Sequence, residues 1–144
     1  MAMMVDYNEL LQYKTNNPDT VIITYVNTRA NIKALSDVIV TSSNAEKIVK
    51  NYKDKKMMYV PDKNLGTYLK HKLGYNIDVW PGYCYIHENL KVSDVETMKE
   101  KYPNALTLIH PEAPLDVLLK ADFVGSTKQI LDYATASNKT EFII

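Results

Sequence analysis

The sequence has little cysteine, no excess of charge of either sign and no long hydrophobic run. Its one cysteine cannot form an intramolecular disulfide, which fits a reducing compartment and leaves either a free thiol or a ligand. Basic and acidic residues number 17 each, so the charge balance predicts neither nucleic acid nor an anionic membrane as a partner. No apolar segment approaches the roughly 20 residues that span a bilayer, and the N-terminus lacks signal-peptide features. We therefore expect a cytoplasmic protein.

Short apolar runs alternate along the chain with segments of helical period. Hydrophobic residues make up 46% of the 144 residues, which is enough to build a buried core. The apolar runs predict strands at 21–25, 38–40, 57–60, 77–80, 106–109, 123–124 and 142–144. The intervening periodicity predicts helices at 30–36, 44–52, 65–73, 92–102, 114–121 and 128–137. Continuous rather than alternating apolar runs indicate strands buried on both faces, so the sequence predicts an α/β fold with parallel sheets.

Three local signals predict helix ends. Ser43 with Glu46, and Ser93 with Glu96, fit the S-x-x-E capping box that begins many helices. Gly74 follows the segment LGTYLKHKL, where a glycine commonly ends a helix.

An internal repeat divides the chain into two halves. Residues 18–43 align without a gap on residues 103–128, at an offset of 85 residues. The coincident pairs are Pro18 with Pro103, Tyr25 with His110, Asn27 with Glu112, Asp37 with Asp122, Thr41 with Ser126, and Ser42 with Thr127. Self-similarity at a fixed offset is typical of a duplicated unit. We predict two related three-layer αβα domains with short, mainly parallel sheets, over residues 1–87 and 88–144.

Polar residues follow the carboxyl ends of the predicted strands, where open parallel sheets bind ligands. The segments TSSN (41–44) and GST (125–127) each place hydroxyls before a predicted helix, which suits a carboxylate or phosphate. Ordinary helix capping by Ser43 and by Ser126 or Thr127 explains them equally well. His110 and Glu112 have the composition of an acid/base pair, although a histidine at a strand end is often structural. For Lys63 we favour solvation over phosphate binding.

Cys84 and His87, in the segment WPGYCYIHE, allow three interpretations. A nucleophile with its base is the weakest, because side chains three residues apart on an extended segment face opposite ways. A buried, inert thiol is the ordinary state of a solitary cysteine. The third interpretation is a metal or cluster ligand that is completed by residues outside this chain.

Six motifs together resemble one known family. They are TYVNT, SDVIVTSSNA, VPDKNLGTYL, WPGYCYIHE, IHPEAP and ADFVGST, in order and in register from Met1 to Ile144. In this order and spacing they are similar to quinolinate synthase, the NadA family. The resemblance implies three related αβα domains about a pseudo-threefold axis, with the active site at their junction. This chain would supply the second domain and most of the third.

The resemblance also implies a reaction, a cofactor and residue roles. The family condenses iminoaspartate with dihydroxyacetone phosphate to give quinolinate, a precursor of NAD, and uses a [4Fe-4S] cluster with one open iron. Cys84 would be one of three cysteine ligands. Glu112, Tyr25 and His110 would be catalytic, with Glu112 the best candidate for proton transfer. Substrate-binding roles would fall to Tyr25, Asn27, Ser42, His87, His110, Glu112, Ser126 and Thr127.

The chain departs from the family pattern in what it lacks. The resemblance places the other two cluster cysteines upstream of Met1 and beyond Ile144, together with a missing first domain. We therefore expect the chain alone to retain no cluster and to make no quinolinate. The alternative is a non-catalytic α/β module that binds a small dicarboxylate or phosphate at the same strand ends.

Overall fold

The computed structural model describes all 144 residues and has seven α-helices and seven strands. The helices are α1 Tyr7–Asn16, α2 Ala30–Leu35, α3 Ala45–Val49, α4 Lys63–Leu73, α5 Val92–Lys101, α6 Leu115–Leu118 and α7 Thr127–Ala136. The strands are β1 Val21–Tyr25, β2 Val38–Val40, β3 Met57–Val60, β4 Ile77–Val79, β5 Leu106–Ile109, β6 Phe123–Val124 and β7 Phe142–Ile143. Short 3₁₀ turns lie at Lys50–Tyr52 and His87–Asn89. No helix is long and apolar enough to cross a membrane.

The strands form two parallel sheets, which confirms the predicted α/β class. The first sheet has the order β2-β1-β3-β4, and the second has the order β6-β5-β7. Alternate residues of β3 point into different cores, because successive side chains of a strand face opposite ways. Met57 and Tyr59 pack with residues of α3 and α4, whereas Met58 and Val60 pack with residues of α1 and α2. The first sheet is therefore the middle of three layers.

The two sheets share a register and a set of polar contacts at the predicted offset of 85. Ile23 pairs with Val38 in the first sheet, and Leu108 pairs with Phe123 in the second. Asp37 accepts a hydrogen bond of 2.8 Å from the Ile22 N–H, and Asp122 accepts one of 2.8 Å from the Thr107 N–H. Lys14 donates to the Leu35 carbonyl and Lys99 to the Lys120 carbonyl, 85 residues on. These contacts agree with the alignment, and duplication itself stays a hypothesis, as does the division into domains.

The helix ends differ in part from the sequence prediction. Gly74 ends α4 with φ of 68°, as predicted. Both predicted capping boxes are wrong. Helix α3 begins after Asn44 rather than Ser43, because the Ser43 hydroxyl bonds to Thr41 at 2.9 Å. Helix α5 begins after Lys91, whose N–H donates to Asp94, so Ser93 already lies inside the helix.

Helix α1 was not predicted. Asp6 caps it by accepting N–H bonds from Asn8 and Glu9 at 2.8 and 3.0 Å. Of its ten residues only Leu10 is buried, so the sequence carries no broad apolar stripe to mark the helix.

Asp37→Ala and Asp122→Ala should each lower the free energy of unfolding by about 1 kcal/mol. Each substitution leaves a strand N–H without its carboxylate and removes the nearby lysine contact. Chemical denaturation measures both losses, with Asp54→Ala at an exposed position as the control. A loss in one variant but not in the other would show that the two contacts are not equivalent.

Candidate active site

A cavity of about 610 Å³ opens where the carboxyl ends of the strands meet. Six of the predicted site residues line it: Tyr25, Asn27, His87, His110, Glu112 and Thr127. They come from both predicted domains. Tyr25 and Asn27 lie at the end of β1, His110 and Glu112 follow β5, His87 begins the 3₁₀ turn after β4, and Thr127 begins α7 after β6. Its remaining wall is mainly apolar and comes from α5, α6, α7, β5 and β7. Side chains as far apart in the sequence as Tyr25 and Thr127 therefore share one cavity.

Glu112 is the buried charge of this cavity, with 4% of its surface exposed. Its Oε2 atom lies 3.0 Å from Nδ1 of His87. Burial raises the pKa of the carboxyl, but the His87 bond, the neighbouring His110 and Tyr25 together outweigh burial, so the pKa lies below its usual value. Glu112 is consequently ionised at neutral pH and needs the proton on His87 Nδ1 as its partner.

His87 and His110 stack with ring centroids 4.9 Å apart. Nδ1 of His110 accepts the Glu112 N–H at 3.4 Å, which leaves the ring proton on Nε2. Burial lowers the pKa of His110, and the carboxylate of Glu112 opposes that shift only in part. His110 is therefore a neutral donor, while Glu112 orients His87 with its Nε2 free to accept a proton.

Tyr25 lies beside Glu112 and Ser42 at the end of β1. Burial, together with the negative charge of Glu112, raises the pKa of Tyr25 to about 12, and the Ser42 hydroxyl acts in the opposite direction. The phenol therefore keeps its proton at neutral pH, and this single proton can be donated either to Glu112 or to a ligand in the cavity. Asn27, two residues further on, is exposed at the rim.

Cys84 lies next to the His87–Glu112 pair rather than away from it. Its sulfur, one ligand atom of His87 and one of Glu112 are all within 4.8 Å of one another. The expectation that Cys84 and His87 face opposite ways is wrong, because the backbone turns here: the Glu88 N–H donates to the Cys84 carbonyl at 2.9 Å. A thiol, an imidazole and a carboxylate in this arrangement could hold one metal ion.

The two hydroxyl motifs differ in the structure. Ser126 is buried and caps α7, accepting the Gln129 N–H at 3.4 Å while Gln129 accepts the Ser126 N–H at 2.8 Å. Thr127 is exposed and lines the cavity at the start of this ten-residue helix. Helix α3 after the TSSN segment has only five residues. The substrate roles of Ser42, Ser126 and Thr127 stay predictions.

Sequence reasoning missed Asp62, Asn64 and Glu88. Asp62 is fully buried, and burial raises its pKa to about 6 although the N–H groups of Leu65 and Cys84 act against the shift. Lys63, which we expected to be solvated, forms an ion pair with Glu88. Asp62 sits three residues before Leu65 at the start of a helical period, and this spacing is the signal that could have found it.

Comparison with known proteins assigns the family. The model of the family described as quinolinate synthetase A protein matches residues 1–144. The chain belongs to this family. It is 47% identical over 145 residues to the quinolinate synthase of Caldicellulosiruptor bescii, covering 100% of this chain and 48% of the relative. The corresponding enzyme of Chloroherpeton thalassium is 46% identical over 138 residues, covering 95% of this chain and 43% of the relative.

The relatives are considerably longer than this chain. The quinolinate synthase of Clostridioides difficile is 41% identical over 145 residues, and again the match covers 100% of this chain but 48% of the relative. The chain therefore spans about half the length of the curated relatives it matches. The resemblance drawn from the six motifs is confirmed.

Glu112→Gln should lower the pKa of Tyr25 from about 12 towards its ordinary value of 10.0, because the carboxylate charge that opposes phenolate formation is removed. The same change should lower the pKa of His110 further, since Glu112 favours its protonated form. NMR titration of isotope-labelled tyrosine and histidine rings measures both, with Tyr25→Phe used for assignment. An unchanged Tyr25 pKa would contradict the placement of Glu112.

His110→Gln should weaken the dependence of stability on pH. The pKa of His110 in the folded protein lies below the unfolded value of 6.5, so the unfolded chain binds more protons at this residue. Its contribution to stability is thus fully present above about pH 6.5 and is lost progressively as the pH falls from there through the lower pKa of the folded protein. Denaturation at several pH values from about 7.5 to about 5 should show the variant losing less stability than the parent. An equal or larger loss in the variant would contradict the lowered pKa.

Proposed function

We propose that this chain forms part of a quinolinate synthase, which condenses iminoaspartate with dihydroxyacetone phosphate and releases quinolinate, phosphate and water. One observation carries the proposal: Tyr25, His87, His110 and Glu112 meet around one cavity beside Cys84. The family membership supports it, because each compared relative is named quinolinate synthase. We place the enzyme in the cytoplasm and in NAD biosynthesis as part of the same proposal.

Each polar side chain of the cavity has a role that follows from its charge state. Glu112 and His87 together accept a proton from the substrate, because the carboxylate stabilises the imidazolium that forms. Tyr25 and the Nε2–H of His110 donate hydrogen bonds to substrate oxygens, since both keep their protons at neutral pH. Asn27 and Ser42 bind the substrate at the β1 and β2 ends, and Ser126 and Thr127 do so at the start of α7.

The residues present fit one ligand position of the family's [4Fe-4S] cluster. Such clusters are held mainly by thiolates, and these 144 residues contain one cysteine, half-buried beside the cavity. Cys84 would be that ligand, with one ligand atom each of Glu112 and His87 within 4.8 Å of its sulfur. When bound, the cluster supplies a Lewis-acidic iron that assists loss of water. One thiolate does not hold a stable cluster, so we propose that these residues alone make no quinolinate.

Glu112→Gln in a polypeptide of full family length that carries these residues should lower kcat for quinolinate formation by about 10² to 10⁴. The amide keeps the shape of the side chain but cannot accept the proton. Cys84→Ser should remove both the visible absorption of the anaerobically loaded cluster and the activity. Asp54→Asn, at an exposed position, is the control and should match the parent.

The competing function is a module that binds a dicarboxylate or phosphate without turnover. Full activity in Glu112→Gln would show that Glu112 does not take part in proton transfer. If the parent polypeptide of full family length makes no quinolinate but binds quinolinate or phosphate in calorimetry, the module is favoured over the enzyme. A stable cluster with turnover from the 144 residues alone would contradict the assignment of a single ligand position.

A further inference from the structure

The segment Pro61–Asn64 links β3 to α4 and includes the first two residues of that helix. It contacts both the segment that carries Cys84 and the segment that carries Glu112. Asp62 and Asn64 are buried, with 0% and 7% of their surface exposed. Neither lines the cavity. Each instead binds the backbone of a site residue far along the chain.

Asp62 fixes the segment that carries Cys84. Its Oδ2 atom accepts the Cys84 N–H at 3.1 Å, while its Oδ1 atom accepts the Leu65 N–H at 2.8 Å and so caps α4. Ionised carboxylates are acceptors only, and here each oxygen holds a different backbone N–H. The same carboxylate therefore ties the start of α4 to the backbone of Cys84.

Two further contacts hold the segment that carries Cys84 against Pro61 and Lys63. The Lys63 N–H donates to the Gly82 carbonyl at 2.7 Å. Gly82 approaches so closely that a Cβ atom there would lie 2.6 Å from the carbonyl oxygen of Pro61. The Cys84 backbone consequently has little freedom relative to α4.

Asn64 fixes the segment that carries Glu112. Its Nδ2 atom donates to the Glu112 carbonyl at 2.9 Å and to Oε2 of Glu88 at 2.7 Å. Both partners are acceptors, so the amide group donates both of its hydrogens, and the nitrogen rather than the oxygen must face them. Glu88 is held in turn by Lys63.

We propose that Asp62 and Asn64 are positioning residues that set the place of Cys84 relative to Glu112, one through each half of the site. Asp62 holds the Cys84 N–H, and Asn64 holds the Glu112 carbonyl from the first turn of the same helix. The inference rests on the proposed function only for the importance of Cys84 and Glu112. Its tests require neither cofactor nor substrate, so they succeed or fail independently of that function.

The chain offers two isosteric variants and two reporters, one at Cys84 and one at the contact between His87 and Glu112. Asp62→Asn has one acceptor oxygen where the carboxylate has two, so one of its two N–H bonds is lost. Asn64→Asp has no side-chain N–H to donate, and its carboxylate would face two other acceptors, the Glu112 carbonyl and the Glu88 carboxylate. A thiol reagent reports on Cys84 alone, because it is the one cysteine. The His87 ring nitrogens, observed by NMR at fixed pH, report on Glu112 through their 3.0 Å contact.

Asp62→Asn should raise the alkylation rate of Cys84 about tenfold and leave the His87 ring resonances unchanged. Asn64→Asp should shift those resonances and change the alkylation rate less than twofold. Asp54→Asn and Asn51→Asp, both at exposed positions, carry the same charge changes as controls and should alter neither reporter. If both variants alter both reporters alike, or neither variant alters its own, the proposal is overturned.

A variant-free measurement covers the case in which Asp62→Asn fails to fold. In the parent protein the Cys84 N–H should exchange with solvent at least about tenfold more slowly than that of exposed Tyr85, because the buried Asp62 carboxylate holds it. Exchange of Cys84 as fast as Tyr85 would overturn the role of Asp62.

Discussion

Glu112 is ionised with only 4% of its surface exposed, and the rest of the cavity is arranged around that charge. A buried carboxylate is costly unless neighbouring groups donate to it. His87 provides the donor, at 3.0 Å, and stacks on His110. The same charge helps to keep the proton on Tyr25. The pKa values of Tyr25 and His110 thus both depend on one carboxylate.

The position of the Glu112 side chain depends on the contact between the two sheets and the helix α4 that lies between them. Glu112 follows β5 of the second sheet, whereas Tyr25 follows β1 of the first. Helix α4 lies between them, with Tyr68 packed against the cores of both halves. Asn64, on the same helix, bonds to the Glu112 carbonyl. The site therefore exists only while the second half stays docked on α4.

Much of this arrangement could be predicted from the sequence, and the failures have physical reasons. Buried parallel strands are continuous apolar runs, so β1 and β5 were predicted at the bounds the structure has. Residues at strand ends were predicted to converge because parallel strands end at one edge. Asp62 was missed because its partner Cys84 lies 22 residues away, and a residue type does not reveal a distant partner. The relation of Cys84 to His87 was wrong because an extended segment was assumed where the chain turns.

The charge of the cavity wall limits what can bind there. The residues that line it include Glu112 and Asp94 but no lysine or arginine, and the nearby Lys63 is already paired with Glu88. The buried Asp62 carboxylate adds to the negative field, and Glu112 is one cause of its raised pKa. Both proposed substrates are anions, so they enter against this field unless positive charge is added. The start of α7 supplies a partial positive charge. The phenol of Tyr25 and the Nε2–H of His110 add neutral donors, so these 144 residues offer an anionic ligand hydrogen bonds rather than a cationic side chain in the cavity lining.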